Sequence, residues 1–315
     1  MSRIRKVVIS VVAVVVVAIG ALIAAFLLSS PPAIDLSFDV ETKEIPQSWV
    51  DPTATADAPF VAPSEDTAAE LSAEPQAVAP QAPYVSTGKL TLIGNGKAFG
   101  EEAYELTISE DRATLCSSGR FWFKVVLATV HVTFEQTFEG EGDLRPVMYV
   151  AEFHAPLGFD RSIRATVEDN LMTVERSDET ERILIEPEKT FTLGTFSTYV
   201  LLPRLFALRR DNGSASFEVL VFGGPPNQRD DGDSSKDGLP VMTVERIGTA
   251  SLRAGDILLE VDCYVVSSDL GESEMFARGD EFLAFRAGDG DESLWVYRSD
   301  FFPDGIEIVS VSPMQ

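Results

Sequence analysis

A run of 22 residues without a charge, VVISVVAVVVVAIGALIAAFLL at positions 7–28, constrains the rest of the chain. At about 1.5 Å per helical residue it is long enough to cross a hydrocarbon core of ~30 Å. A buried core helix would carry a polar stripe, and none interrupts this run. Arg3, Arg5 and Lys6 precede it, and a short positive segment of this kind belongs on the cytoplasmic side. A cleaved signal usually has an apolar core of about 7–15 residues ending at a small-x-small site. Here the run is longer, and Ser29-Ser30-Pro31-Pro32 follows. The expectation is a cytoplasmic tail at 1–6, a single-pass transmembrane anchor at 7–28 and an extracytoplasmic remainder.

Residues 29–86 read as a linker. They are rich in proline, alanine and acidic residues, with Lys43 as the one cation, and they show no sustained apolar period. Such a stretch is an extended, self-repelling tether. The formal charge of the chain is −25, and three cations lie before the anchor, so the part beyond it carries −28. A surface of that sign repels nucleic acid and anionic headgroups, which excludes DNA and RNA as partners.

The texture changes to strands in the domain at 87–315. Tyr104, Leu106 and Ile108 alternate with Glu105, Thr107 and Ser109, the period of a half-buried strand. Val130, Val132, Phe134 and Phe138 oppose His131, Thr133, Glu135 and Thr137 in the same way. Asp169-Asn170 is a hairpin signal. Further on, Ile257, Leu259, Val261, Cys263 and Val265 share one face. Met172-Thr-Val-Glu-Arg176 recurs as Met242-Thr-Val-Glu-Arg246, an echo too short to establish duplication.

One segment departs from this period. Residues 196–210, FSTYVLLPRLFALRR, are apolar almost all round, with Arg204, Arg209 and Arg210 toward the end and Gly213 beyond. That pattern predicts a buried helix, its terminal cations at the negative end of the dipole, started or kinked by Pro203. Many strands and one very apolar helix bury each other if an antiparallel sheet curls around the helix. The fold class is therefore mainly β: after the anchor, a curled antiparallel half-barrel wrapped on one buried helix.

The meander, Leu201-Leu202-Pro203-Arg204-Leu205 and the closing Trp295-x-Tyr297-Arg298-x-Asp300-x-Phe302-Pro303 together cover roughly residues 85–311. In these features the chain resembles the curled half-barrel of bacterial lipoprotein carriers and their uncharacterised periplasmic relatives. The resemblance implies a half-barrel fold and a binding role; the membrane anchor departs from the soluble carriers, which diffuse.

Chemistry-bearing motifs are few. His131 and His154 read as surface residues, since Glu152 and His154 alone cannot complete a metal site. Ser86-Thr87-Gly88-Lys89 lacks the helix and partner motifs of acyl-serine enzymes, and Gly94-Asn95-Gly96-Lys97 reads as a hairpin turn rather than a phosphate loop. Asp233, Ser235 and Asp237 with Gly238 resemble the start of a calcium loop, but the twelfth position is Val244 rather than a bidentate carboxylate. Two readings stand for Cys116 and Cys263: a disulfide worth up to about 5 kcal/mol in the chain-entropy picture, or two separate buried thiols. No acid, base and nucleophile assemble in the sequence, and no cofactor is expected. The chain reads as an anchored binding module for an apolar or lipid-like ligand, held between sheet and helix at Phe196, Tyr199, Val200, Leu205 and Phe206. The alternative is an interaction or structural protein of the cell envelope, with a closed core and an envelope protein as partner.

Overall fold

The computed structural model describes residues 83–125, 128–156, 160–176, 179–222, 239–268, 271–288 and 293–314. The tail, the anchor at 7–28 and nearly all of the linker lie outside the described residues. Among the described residues, no helix is long and apolar enough to cross a membrane.

Alternation of apolar and polar side chains builds the first half of the domain. Strands β1 (Tyr84–Gly94), β2 (Lys97–Ile108), β3 (Ala113–Val125), β4 (Ala128–Gly140), β5 (Pro146–His154), β6 (Arg161–Glu168), β7 (Leu171–Arg176) and β8 (Glu179–Leu184) form an antiparallel meander. The β1–β2 turn places Asn95 and Gly96 at φ 51° and 68°, the left-handed pair that matches strand twist in a two-residue hairpin. Tyr104, Leu106 and Ile108 are buried, as their period requires, while Glu105 between them is exposed. The outer face of these strands carries ion pairs, including Arg120–Glu101 at 2.6 Å and Arg112–Glu139 at 2.7 Å. One face in the core and one in water is the usual state of an antiparallel sheet.

The second half returns from the opposite edge. β9 (Thr190–Leu193) pairs in parallel with β10 (Ser214–Val221), and β11 (Val241–Ala254), β12 (Ile257–Ser268), β13 (Gly271–Arg278), β14 (Glu281–Ala287) and β15 (Leu294–Arg298) lead back to β1. β15 and β1 pair antiparallel, with Arg298 opposite Leu90 and Leu294 opposite Gly94. β16 (Glu307–Pro313) lies along the part of β11 that β10 leaves free. Among the described residues the result is one sheet of sixteen strands, with β8 and β9 at its ends.

Those two ends do not pair. The sheet curls until its β9 end packs on the inner face of β5 instead. Tyr149 of β5 stacks on Phe222, just beyond β10, at 4.7 Å. Gly194 sits so close that a Cβ there would fall 2.4 Å from the Tyr149 hydroxyl, so only glycine lets the edge tuck in.

The interior is filled by the segment between β9 and β10. Residues Phe196–Leu201 form a 3-10 turn that passes into helix α1 (Leu202–Arg209). The α-helix is thus shorter than the expected 196–210. Pro203 lies in its first turn, where a missing N–H leaves no bond unmade, so the proline starts the helix rather than kinking it. Leu201, Leu202, Leu205 and Phe206 are buried against the inner faces of the sheet.

A second core lies on the outer face of β11–β15. Leu252, Leu259, Val261, Cys263, Phe276 and Leu283 are covered there by Phe301, Phe302 and Ile308, as the chain crosses back over the sheet to β16. The inner face of the same strands contributes Tyr264, Val266, Met275 and Phe285 to the first core. These strands are buried on both sides.

The seam between the halves is pinned by charge. Arg298 is fully buried; its Nε and Nη2 donate to the two Asp300 oxygens at 2.8 and 2.6 Å, and Nη2 also donates to the Thr87 carbonyl at 3.0 Å. Its Nη1 donates to Glu281. Glu281 in turn accepts from Tyr84 Oη at 3.0 Å and Ser86 Oγ at 3.2 Å on β1. The Phe301 and Tyr104 rings flank the guanidinium at 4.5 and 5.3 Å. Replacing Arg298 by Met removes the cation and leaves the buried Asp300 carboxylate unmatched. We expect a loss of about 3–5 kcal/mol, the usual cost of breaking a buried ion pair, measured by denaturant unfolding. Gly88→Ala should act in the same direction, because the added Cβ would lie 2.5 Å from Arg298 Nε.

Candidate functional site

The inner face holds two arrangements beyond plain packing. The first is a row of aromatic rings that crosses strands. Phe153 of β5 and Phe134 of β4 lie 6.1 Å apart, and Phe134 stacks on Phe121 of β3 at 4.8 Å. Phe121 meets Phe196 edge-on at 6.1 Å, Phe196 stacks on Tyr199 at 6.3 Å, and Tyr199 packs on Phe285 of β14 at 4.4 Å. Cross-strand register explains the row, since Phe134 opposes Phe153 directly and Phe121 opposes Val132 beside it. Phe121, Phe153, Phe196 and Tyr199 are half-buried, so the row keeps part of its ring surface open.

The second is a polar network at the start of the 3-10 turn. Glu102, on the inner face of β2, is 1% exposed. Its Oε1 accepts from Ser117 Oγ at 2.7 Å and from Thr195 Oγ1, and its Oε2 accepts from the Ser197 backbone N–H at 3.0 Å. Gln136 Nε2 donates to Ser197 Oγ at 2.6 Å, and Ser197 Oγ donates to Ser117 Oγ at 3.0 Å. Gln136 Oε1 accepts from Tyr149 Oη at 2.9 Å and from the Thr195 N–H at 3.0 Å. All of the partners that contact Glu102 are neutral. Burial pushes its carboxyl above the ordinary range, against the opposing pull of the Ser197, Thr195 and Ser117 hydrogen bonds. Burial likewise raises the Tyr149 phenol, with the Glu102 charge adding to it.

The residues expected to hold a ligand do come together, with different exposure. Phe196 and Tyr199 belong to the aromatic row, whereas Val200, Leu205 and Phe206 are buried in the inner core. Phe206 meets Tyr264 edge-on at 5.0 Å. Asp233, Ser235 and Asp237 lie outside the described residues. Among the described residues, no group of His, Cys, Asp and Glu is placed to hold a metal ion. A Cys116–Cys263 disulfide is not formed: both are free thiols, on β3 and β12, with five strands between them in the sheet. Cys116 Sγ lies 3.9 Å from Thr137 Oγ1, while Cys263 is sealed in the outer core, where burial raises its thiol to about 11. His154 faces solvent beside Asp160, at 3.4 Å.

No protein-family model and no curated protein match the chain. Two solved structures are similar in fold. One is the β-barrel-like protein of the domain of unknown function DUF1849 from Brucella abortus, 12% identical, covering 72% of this chain and 98% of its own at a TM-score of 0.41. The other is a DUF1089 family protein from Pseudomonas aeruginosa, also 12% identical, covering 59% of this chain and 88% of its own at a TM-score of 0.37. Likenesses at this level carry nothing about function, and neither supports the expected resemblance to lipoprotein carriers.

Sequence alternation passes over Glu102, Ser117 and Gln136. Each is in phase with apolar neighbours (Tyr104 and Leu106, Leu115, Phe134 and Phe138), and that phase was the available signal that three polar side chains point inward.

A raised carboxyl favours the fold below its unfolded-state pKa, and the contribution is lost as pH rises through the higher folded value. Glu102→Gln removes the titration while keeping the shape. Its melting temperature relative to the parent should therefore climb as pH is raised from 4 to 8, as read by thermal unfolding. A flat difference would mean that Glu102 is not displaced.

Proposed function

We propose that the chain is a membrane-anchored extracytoplasmic binding module, and that an apolar, lipid-like molecule docks on the aromatic row at Phe121, Phe153, Phe196 and Tyr199. What carries the reading is the half-buried state of those four rings, when the other two rings of the row, Phe134 and Phe285, are fully enclosed. Flat rings with open surface offer area to an acyl chain at little conformational cost. The uncharged run at 7–28 supports the tether, and the tether would keep the domain within reach of a bilayer. On this reading the Glu102 network is a holding device for the 3-10 turn rather than a reaction centre, because its hydroxyls and amides are enclosed and lack a cationic or imidazole partner.

A second reading, an envelope protein with a closed core, is favoured by the complete burial of Val200, Leu205 and Phe206. Photo-crosslinking separates the two. The full chain is placed in nanodiscs containing a diazirine-bearing phospholipid, irradiated, and its labelled peptides are mapped. The binding module is labelled around Phe121, Phe153 and Phe196 as well as in 7–28; labelling confined to 7–28 selects the closed core. Phe196→Ser should reduce labelling of the row about tenfold, the equivalent of roughly 1.4 kcal/mol of lost contact.

A further inference from the structure

The outer face carries a groove of about 630 Å³ that the interior site does not use. Its floor is Trp295 and Tyr297 of β15 with Ile93 of β1; one wall is the β1–β2 turn at Asn95, and the other is the crossing chain at Asp304 and Ile306. The volume lies within the usual range for small-molecule clefts, about 300–1,000 Å³.

The floor is flat and held in place. Trp295 Nε1 donates to Ser293 Oγ at 3.0 Å, and its ring lies parallel to Phe276 at 6.5 Å. The Arg286 guanidinium sits 5.6 Å from the same ring and is itself fixed by Glu274 at 2.5 Å. Tyr297 is 6% exposed and packs in the outer core. The rim differs in kind. Asn95 and Asp304 are exposed, and among the described residues neither side chain has a hydrogen-bond or ion-pair partner. Asn95 is aimed by the left-handed backbone of its turn, at φ 51°.

A rigid indole floor beneath an unpaired carboxylate and an unpaired amide suits one chemistry better than others. A purely apolar ligand would cover Asn95 and Asp304 and leave them without water or partner, which is costly. An anion would meet Asp304 on a chain of net charge −25. A pyranose satisfies both parts: its C–H face is apolar and flat enough to lie on the indole, and its equatorial hydroxyls can donate to a carboxylate and exchange hydrogen bonds with an amide. We propose that this groove binds a neutral saccharide, with one ring stacked on Trp295 and its hydroxyls held by Asp304 and Asn95. The site is separate from the aromatic row and does not rest on it.

The test titrates the full chain in nanodiscs with cellohexaose, maltohexaose, chitohexaose and the acidic hexagalacturonate, followed by calorimetry. At least one neutral oligosaccharide should bind saturably, at one per chain, and the acidic one should not. Trp295→Ala and Asp304→Ala should each weaken binding at least tenfold, and Phe196→Ser should leave it unchanged. Trp295 also packs in the outer core, so Asp304→Ala, on the exposed rim, separates lost recognition from lost folding. Absence of binding by all three neutral sugars overturns the proposal, as does binding that both variants leave intact or tighter binding of the acidic sugar.

Discussion

A long antiparallel sheet that curls must have something inside it, and this structure depends on the segment that meets the need. Residues Phe196–Leu201 and α1 bring an almost wholly apolar surface to the inner faces of β2, β9, β10 and β14. Without it, much of the inner face of the sheet would have no partner: the two ends β8 and β9 make no ladder, and the curl is held along that side by packing and side-chain hydrogen bonds. The filling segment also sets the chemistry of the interior. It supplies two of the rings in the aromatic row and the Thr195 and Ser197 groups that meet Glu102.

Much of this was legible in the amino-acid order. Strand alternation located the meander, and the all-round apolar texture of 196–210 marked the segment that goes inside. Two kinds of information were not. The first is which face of a doubly buried strand meets which core. The shared face of Leu259, Val261 and Cys263 is correct as a face, yet it looks outward, under the C-terminal crossing chain. A strand sealed on both sides alternates between two apolar sets, and alternation alone does not say which is inner. The second is the conformation inside an apolar segment: the 3-10 turn follows from the demands of packing on β2, β9 and β14, which local propensity does not encode.

The polar groups inside the sheet divide by how they are compensated. Arg298 has two carboxylates, a carbonyl and two ring faces, so its burial is answered group by group at the seam where β15 meets β1. That explains why Arg298 and Asp300 stand out in the closing segment: they are structural, joining β15 to β1 through Thr87 and Lys89, whose N–H donates to Asp300 at 3.1 Å. Glu102 has hydrogen bonds but no charge to match. A carboxyl in that state is favoured while neutral and disfavoured when ionised; two of its donors, Thr195 and Ser197, belong to the filling segment, and the third, Ser117 on β3, is hydrogen-bonded to Ser197.

This contrast bears on where the molecule can yield. The β1–β15 seam joins buried opposite charges across backbone-paired strands, and opening it would expose or strand both. The contact between the β9 end and β5 has no ladder, and it rests on Tyr149 against Phe222, a glycine-tight approach at Gly194 and the Glu102–Gln136 network. Interactions of that kind can be lost and regained without breaking sheet hydrogen bonds. A ligand entering along the aromatic row would therefore displace the 3-10 turn before it disturbed the seam. The groove on the other face sits over β1 and β15, which the buried Arg298–Asp300 pair ties together, so a molecule held there would lie on the charge-pinned part of the sheet rather than on the filling segment.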